Sequence, residues 1–174
     1  MDVIDAAIAN PGALGVTAGW PDRREVPGAS LSTDDLSVVL NCRVRAFKTL
    51  MALADKAALR NDGVVPHAIA EQAKQDFQSL MTSFNALMGV ESGHSPEEKE
   101  RLGRDVQKEF LPYLSLTETA DRFYAKLRGY SGDFLTIAKI YDDIPGGAGR
   151  IGPLVDACFL GTPAAAAVRN RRHL

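Results

Sequence analysis

Residues 147–152, with the sequence GAGRIG, fit the letters of the dinucleotide-binding fingerprint G-x-G-x-x-G. In proteins that bind NAD or FAD, this fingerprint follows a β-strand, and an acidic side chain about 20 residues later contacts the ribose. Here the preceding segment has the apolar spacing of a helix, and no acidic residue follows Asp156. The loop also lacks the Lys-Ser/Thr ending of a phosphate-binding loop. The sequence therefore predicts a flexible connector at these glycines and no nucleotide site.

A turn with two polar groups is predicted just upstream, where Gly129 and Gly132 flank Tyr130. Asp133 follows and can cap the next helix by accepting hydrogen bonds from its first N–H groups. Such a turn holds a hydroxyl and a carboxylate at fixed positions between two helices. That arrangement suits a binding site or a corner between helices. Spacing alone favours the corner and leaves the binding site open.

Metal and thiol chemistry find little support in the spacing of histidine and cysteine. His67, His94 and His173 lie far apart and share no ligand spacing with either cysteine, so no metal site is predicted. Cys42 and Cys158 both lie inside apolar helical patterns, where a small buried hydrophobic side chain is expected. A disulfide or a reactive thiol is the less common alternative, because no CxxC pair or flanking basic cluster supports either.

The composition indicates one helical domain. A chain of 174 residues with 45% hydrophobic side chains can bury one core. Its formal charge of −2 gives no broad basic surface for nucleic acid. No window approaches the ~18 consecutive apolar residues that span a bilayer, and the N-terminus lacks a secretory signal pattern. A cytoplasmic location without a membrane span is the expectation.

The elements that would position the polar groups are helices. Proline and glycine are dense in residues 1–31, which predicts an irregular N-terminal arm with room for one short helix over residues 3–9. From residue 32 apolar residues recur at three- and four-residue spacing, and two long helices on either side of residues 61–66 predict an antiparallel hairpin. Later helices are predicted to start at Ser95, Ser115, Asp133, Pro153 and Thr162. The first two of these starts have the spacing of a capping box, with Glu98 and Glu118 three residues after the capping serine.

The predicted fold is therefore an all-α antiparallel helical bundle of about six to seven helices, with no sheet. The third helix must bend or end near Pro112. The helix after Asp133 is built on an apolar pattern that includes Phe134 and Tyr141. The bundle is expected to span residues 32–161, and residues 162–174 form a last helix without a stop signal.

The last quarter of the chain resembles a known family. The motifs that carry the resemblance are RGYSGDF at 128–134, IY at 140–141, GPLVD at 152–156, CFL at 158–160 and PAAAAVRNRR at 163–172. Together they resemble the segment before the catalytic domain in bacterial class I S-adenosylmethionine-dependent methyltransferases of the extracellular-factor 3-hydroxypalmitic acid methyl ester biosynthesis type. In that family a helical N-terminal region leads through an Ala-Val-Arg-Asn-Arg helix into a Rossmann-like domain.

The resemblance implies that this chain is the N-terminal substrate-binding or lid region of such a methyltransferase, acting on a small metabolite or fatty-acyl acceptor. The strand and glycine-rich turn that hold S-adenosylmethionine would follow Leu174, so the chain alone is expected to bind no cofactor and to be inactive. Residues 162–174 would begin a helix that connects to the absent Rossmann-like domain.

The same resemblance assigns roles to particular residues. Tyr130, Asp133 and Tyr141 would lie on the acceptor side of the site. Arg169, Asn170 and Arg171 would lie at the interface with the catalytic domain. A different class of function stays open beside this one: a free-standing, non-catalytic helical module that forms a homodimer or binds a partner through its C-terminal helix.

Overall fold

The computed structural model describes residues 33–125 and 134–171. These residues form seven α-helices and a short 3-10 turn, and they contain no β-strand. The helices are α1 (Thr33–Leu59), α2 (His67–Met88), α3 (Pro96–Leu114), α4 (Glu118–Ala125), α5 (Phe134–Asp142), α6 (Gly152–Leu160) and α7 (Pro163–Asn170). The prediction of an all-α bundle is confirmed. The predicted N-terminal arm, with its short helix, lies outside the described residues.

Helices α1 and α2 form the predicted hairpin, and their contact is the most extensive between any two helices in the described part of the chain. Their apolar stripes are spaced at three and four residues and face each other. Helix α1 ends at a tight turn in which Asp62 and Gly63 adopt φ angles of 48° and 83°. The Gly63 N–H donates to the Ala58 carbonyl at 2.9 Å, which satisfies one of the last acceptors of the helix. None of the described helices is both long enough and apolar enough to cross a membrane.

The main core is centred on Phe47 of α1, which is fully buried. Its ring centroid lies 5.5 Å from that of Phe77 in α2 and 5.2 Å from that of Phe110 in α3. Tyr113, one turn further along α3, approaches the same ring edge-on at 5.8 Å. Each aromatic pair contributes about 0.5–1.5 kcal/mol beyond the area it buries. One ring therefore joins the first three helices.

Helix α6 is largely enclosed by four other helices. It contacts α2, α3, α4 and α7. Its sequence, GPLVDACFL, is apolar on nearly every side, which is the pattern of an enclosed helix. Leu154, Val155 and Cys158 face the main core. Asp156 is buried in the same helix and is its one charged residue.

Helix starts follow local capping chemistry. The predicted capping box at α3 is present: the Glu98 N–H donates to Ser95 Oγ at 3.2 Å, and the Ser95 N–H donates to Glu98 Oε2 at 2.8 Å. The prediction that α4 is capped by Ser115 is wrong. Thr117 Oγ1 accepts from the Ala120 N–H at 3.0 Å instead, because Ser115 still has helical backbone angles and donates back to Leu111 O at 3.0 Å. Helix α3 runs two residues past Pro112, to Leu114.

A second, smaller hydrophobic cluster joins α5 and α7 to the end of α6. It consists of Ile140, Leu160 and Ala165, with Val168 packed against it. It is separate from the main core, which takes its residues from α1, α2, α3 and α6. Helices α5 and α7 therefore form an outer layer, and α6 contributes to both clusters.

Helix α5 faces the body of the protein through Thr136 and Ile140, one turn apart. Phe134, at its start, has 71% of its surface exposed. The apolar pattern from which this helix was predicted includes Phe134 and Tyr141, yet Phe134 is exposed and Tyr141 is half-buried. Phe134 and Tyr141 lie on a different side of α5 from the buried Thr136 and Ile140, and we call this side the flank of α5.

Candidate functional site

The glycine-rich loop between α5 and α6 packs against the segment that joins α3 to α4. The Ala148 N–H donates to the Leu116 carbonyl at 2.7 Å, and Gly147 forms an isolated antiparallel bridge with Thr117. Helix α5 precedes the loop, so the strand that a dinucleotide fingerprint needs is replaced by a helix. The loop is more than the predicted flexible connector, since its backbone is bonded to another part of the fold.

Two glycines make this close approach possible. Gly147 has φ of +141°, and a Cβ atom there would overlap the carbonyl oxygen of Leu116. A Cβ atom on Gly152 would lie 2.6 Å from the same oxygen. Gly149 also has positive φ, at +67°, but a Cβ atom there would meet open space. Two of the three glycines that match the fingerprint, Gly147 and Gly152, are therefore needed for packing against one carbonyl group.

Asp156 of α6 joins this loop to the start of α4. Its Oδ1 accepts from the Thr119 N–H at 3.2 Å, and its Oδ2 accepts from Thr119 Oγ1 at 3.2 Å and from the Gly146 N–H at 2.8 Å. The side chain is completely buried, and Thr119 is 1% exposed. We name Asp156, Thr119 and Gly146 the Asp156 junction. A carboxylate that is enclosed and bonded in this way positions other elements and is out of reach of a substrate.

The Asp156 junction is not predicted by the sequence patterns. The available signal was a charged residue inside an apolar helix, because a buried carboxylate is found only where donors satisfy it. Its partner Thr119 lies 37 residues away along the chain. Local patterns do not reveal a pair at that separation.

Ion pairs attach the same region to its neighbours. Arg150 donates to both carboxylate oxygens of Asp55 in α1, at 2.8 and 3.0 Å. Lys139 of α5 lies 2.7 Å from Glu118 at the start of α4. The loop is therefore fixed to α1 on one side, and α5 is fixed to α4 on the other.

Arg169, predicted from the resemblance at a domain interface, contacts the chain's own helices. Its Nη1 donates to the Leu160 carbonyl at 3.0 Å and lies 2.9 Å from Asp143 Oδ1, just past the end of α5. Its side chain is 24% exposed. Asn170 and Arg171, which follow it, are exposed. Arg169 thus fixes the last turn of α7, and the predicted role of all three residues at an interface stays a prediction.

Of the predicted acceptor-side residues, only Tyr141 lies in the described part of the chain. It is in the last turn of α5 and is half-buried. Tyr130 and Asp133 lie outside the described residues. Their grouping with Tyr141 therefore stays a prediction.

The two cysteines have opposite environments. Cys158 is buried in the main core, as predicted, and burial raises the pKa of its thiol to about 12. Cys42 lies on the exposed side of α1, so the prediction that it is buried is wrong. Both thiols are free. Within residues 33–125 and 134–171 no group of three His, Cys, Asp or Glu side chains is arranged to hold a metal ion.

We expect the two thiols to react at very different rates. Cys42 is exposed, so a reagent can reach its thiol, whereas burial raises the pKa of Cys158 to about 12 and keeps that thiol protonated and unreactive at about pH 8. A thiol-specific chromogenic reagent should label Cys42 within minutes in the native protein. Cys158 should react only after unfolding in guanidinium. Fast reaction of both cysteines in the native state would contradict the buried position of Cys158.

A shallow groove of about 380 Å³ lies between α2 and the start of α7. Its lining is free of charge and comprises Gln78, Met81, Thr82, Asn85, Gly161, Pro163 and Ala166. Gln78 Nε2 donates to the Gly161 carbonyl across one end, at 3.4 Å. The groove has room for a small neutral group, and no titratable side chain lines it.

Comparisons with protein-family models, with curated proteins and with solved structures find no match for this chain.

Proposed function

We propose that this chain is the helical N-terminal substrate-binding or lid region of an S-adenosylmethionine-dependent methyltransferase. The motifs between residues 128 and 172 support the proposal through their resemblance to such a region. The enzyme would act on a small metabolite or a fatty-acyl acceptor, with the methyl donor held by a following Rossmann-like domain. The chain by itself would lack the donor site.

The observation that carries the proposal is the position of α7. Arg169 bonds the last turn of α7 to the Leu160 carbonyl of α6 and to Asp143 beyond α5. Asn170 and Arg171 extend from this fixed turn and are exposed. A connecting helix must transmit a defined orientation between two domains, and a helix held at its last turn can do so. Exposed polar and basic side chains suit the polar rim of such an interface.

Methyl transfer depends on in-line positioning and on exclusion of water. A helical lid supplies both through shape and requires few acid–base groups. Tyr141, half-buried on the flank of α5, offers a hydroxyl for orientation of the acceptor. Phe134, two turns away on the same flank, offers exposed apolar surface.

The test is steady-state methyl transfer from labelled S-adenosylmethionine by the full-length enzyme. Replacing Tyr141 with Phe removes one hydroxyl and should lower kcat/KM about tenfold, because a hydrogen bond that positions the acceptor is lost. Tyr113→Phe is the matched control, since Tyr113 is also half-buried but packs on Phe47 in the main core. Equal turnover by both variants and the wild type would remove Tyr141 from the site.

The second candidate is a non-catalytic interaction module. It is favoured by two adjacent exposed apolar side chains at the start of α5, where Phe134 is 71% and Leu135 is 36% exposed. Exposed large apolar groups mark binding surfaces when they lie together. A full-length protein without methyl transfer activity, which sediments as a dimer and becomes monomeric on Phe134→Ser, would favour this candidate over the enzyme.

A further inference from the structure

The outer layer of α5 and α7 is held to the body by little apolar contact. The cluster that supports it contains Ile140, Leu160 and Ala165 as its buried members. The main core, by contrast, buries aromatic and aliphatic side chains from four helices. Since apolar burial stabilises by about 25 cal/mol per Å², most of the stability of the described fold lies in the main core. The outer layer has a smaller share.

Polar contacts hold the layer where apolar contact is sparse. Arg169 of α7 bonds both to Asp143, beyond α5, and to the Leu160 carbonyl of α6. Lys139 of α5 pairs with Glu118 of α4 at 2.7 Å. The carboxylates of these pairs are 52% and 46% exposed. Exposed pairs are individually weak, and salt screens them.

Two described connections join the layer to α6, residues 143–151 after α5 and residues 161–162 before α7. On the α5 side, Gly146 is fixed by Asp156, and Ile144 and Pro145 before it are exposed. On the α7 side, the turn at residues 161–162 joins α6 directly to α7. The groove separates the exposed side of α2 from the start of α7. Helix α7 can therefore move from the body without disturbing the main core.

We infer that residues 134–143 and 163–171, joined by Arg169, form one cooperative unit that opens from the rest of the fold. Arg169 of α7 bonds to Asp143 within this unit and to the Leu160 carbonyl of α6 outside it. Because the Arg169–Asp143 pair joins the two segments, its loss loosens α5 and α7 together. Opening moves α7, one wall of the groove, while α2, the other wall, stays with the main core. Local opening of this kind is expected where buried apolar contacts are few and the ion pairs that join the elements are partly exposed. The inference does not depend on the proposed methyltransferase role.

The test is native-state hydrogen exchange on the full chain, followed by peptide mass spectrometry. Amides in the second half of α5 and of α7 should exchange at similar rates, and faster than those of α1 and α2. Asp143→Asn removes the charged partner of Arg169 and should speed exchange about twofold to fivefold in both helices, with α1 unchanged. Lys48→Gln is the matched control, because it removes a similarly exposed pair, Lys48 with Glu109, between α1 and α3. It should leave α5 and α7 unchanged.

A second arm uses the unaltered protein. Raising NaCl from about 0.05 to about 0.5 M shortens the Debye length severalfold and should speed exchange in α5 and α7 selectively. Faster exchange in α5 alone after Asp143→Asn would show that the two helices do not open together. Exchange of both helices only at the rate of global unfolding, at either salt concentration, would overturn the inference as a whole.

Discussion

Replacing Asp156 by alanine should lower the free energy of unfolding by about 4 kcal/mol, and replacing it by asparagine should lower it by about 2 kcal/mol. Alanine leaves the Thr119 N–H, the Thr119 hydroxyl and the Gly146 N–H without their acceptor. Asparagine keeps the shape but turns one oxygen into a donor. Because Oδ1 and Oδ2 each accept from a backbone N–H, either orientation of the amide leaves one buried N–H unpaired.

Thermal unfolding followed by circular dichroism measures this effect. For a chain of this size, 1 kcal/mol corresponds to about 2–4 °C in melting temperature, so the alanine variant should melt about 8–16 °C below the wild type. Asp142→Asn is the matched control, since Asp142 is an exposed carboxylate at the end of α5. It should change the melting temperature by less than about 2 °C. An alanine variant with the same melting temperature as the wild type would contradict the stabilising role of the Asp156 junction.

Substitution of alanine for Gly147 should destabilise the fold by more than about 3 kcal/mol. The backbone at φ of +141° is a conformation that essentially only glycine adopts, at a cost of about 1–3 kcal/mol for other residues. The added methyl would also overlap the Leu116 carbonyl, which is backbone and cannot rotate away. Gly152→Ala tests the steric part alone, because Gly152 meets the same carbonyl without a positive φ.

Gly149→Ala is the control within the same loop. Its φ of +67° costs a substituted residue about 1–2 kcal/mol, but the new methyl meets no atom within 4 Å. Urea unfolding should therefore rank the variants with Gly147→Ala least stable and Gly149→Ala most stable. An equal loss of stability in Gly147→Ala and Gly149→Ala would mean that the loop does not pack against the segment joining α3 to α4.

Much of the fold could be predicted from the sequence because its signals are local. Ser95, Pro96 and Glu98 form a capping box within one helical turn, and the structure contains it. Apolar residues at three- and four-residue spacing predicted the two long helices α1 and α2, whose apolar faces supply most of the main core. Errors arose where two local signals compete. Ser115 and Thr117 can both cap a helix. Because Ser115 still has the helical backbone of α3 and donates to Leu111 O, Thr117 caps α4.

The orientation of single side chains was less predictable. Cys42 and Phe134 lie in apolar patterns yet are exposed, because the rotation of a helix is set by its neighbours and not by its own sequence. The Asp156 junction needed contacts between segments that are distant along the chain. Arg169 was singled out through the resemblance, while its bonds to Leu160 and Asp143 became visible only in the folded chain.

Titration calorimetry with S-adenosylmethionine tests the proposed role most directly. The 174-residue chain and the proposed full-length enzyme, in which a Rossmann-like domain follows it, would be titrated under the same conditions. The proposal predicts saturable binding by the full-length enzyme and no binding by the chain alone. Saturable binding by the chain alone, or no binding by the full-length protein, would contradict it.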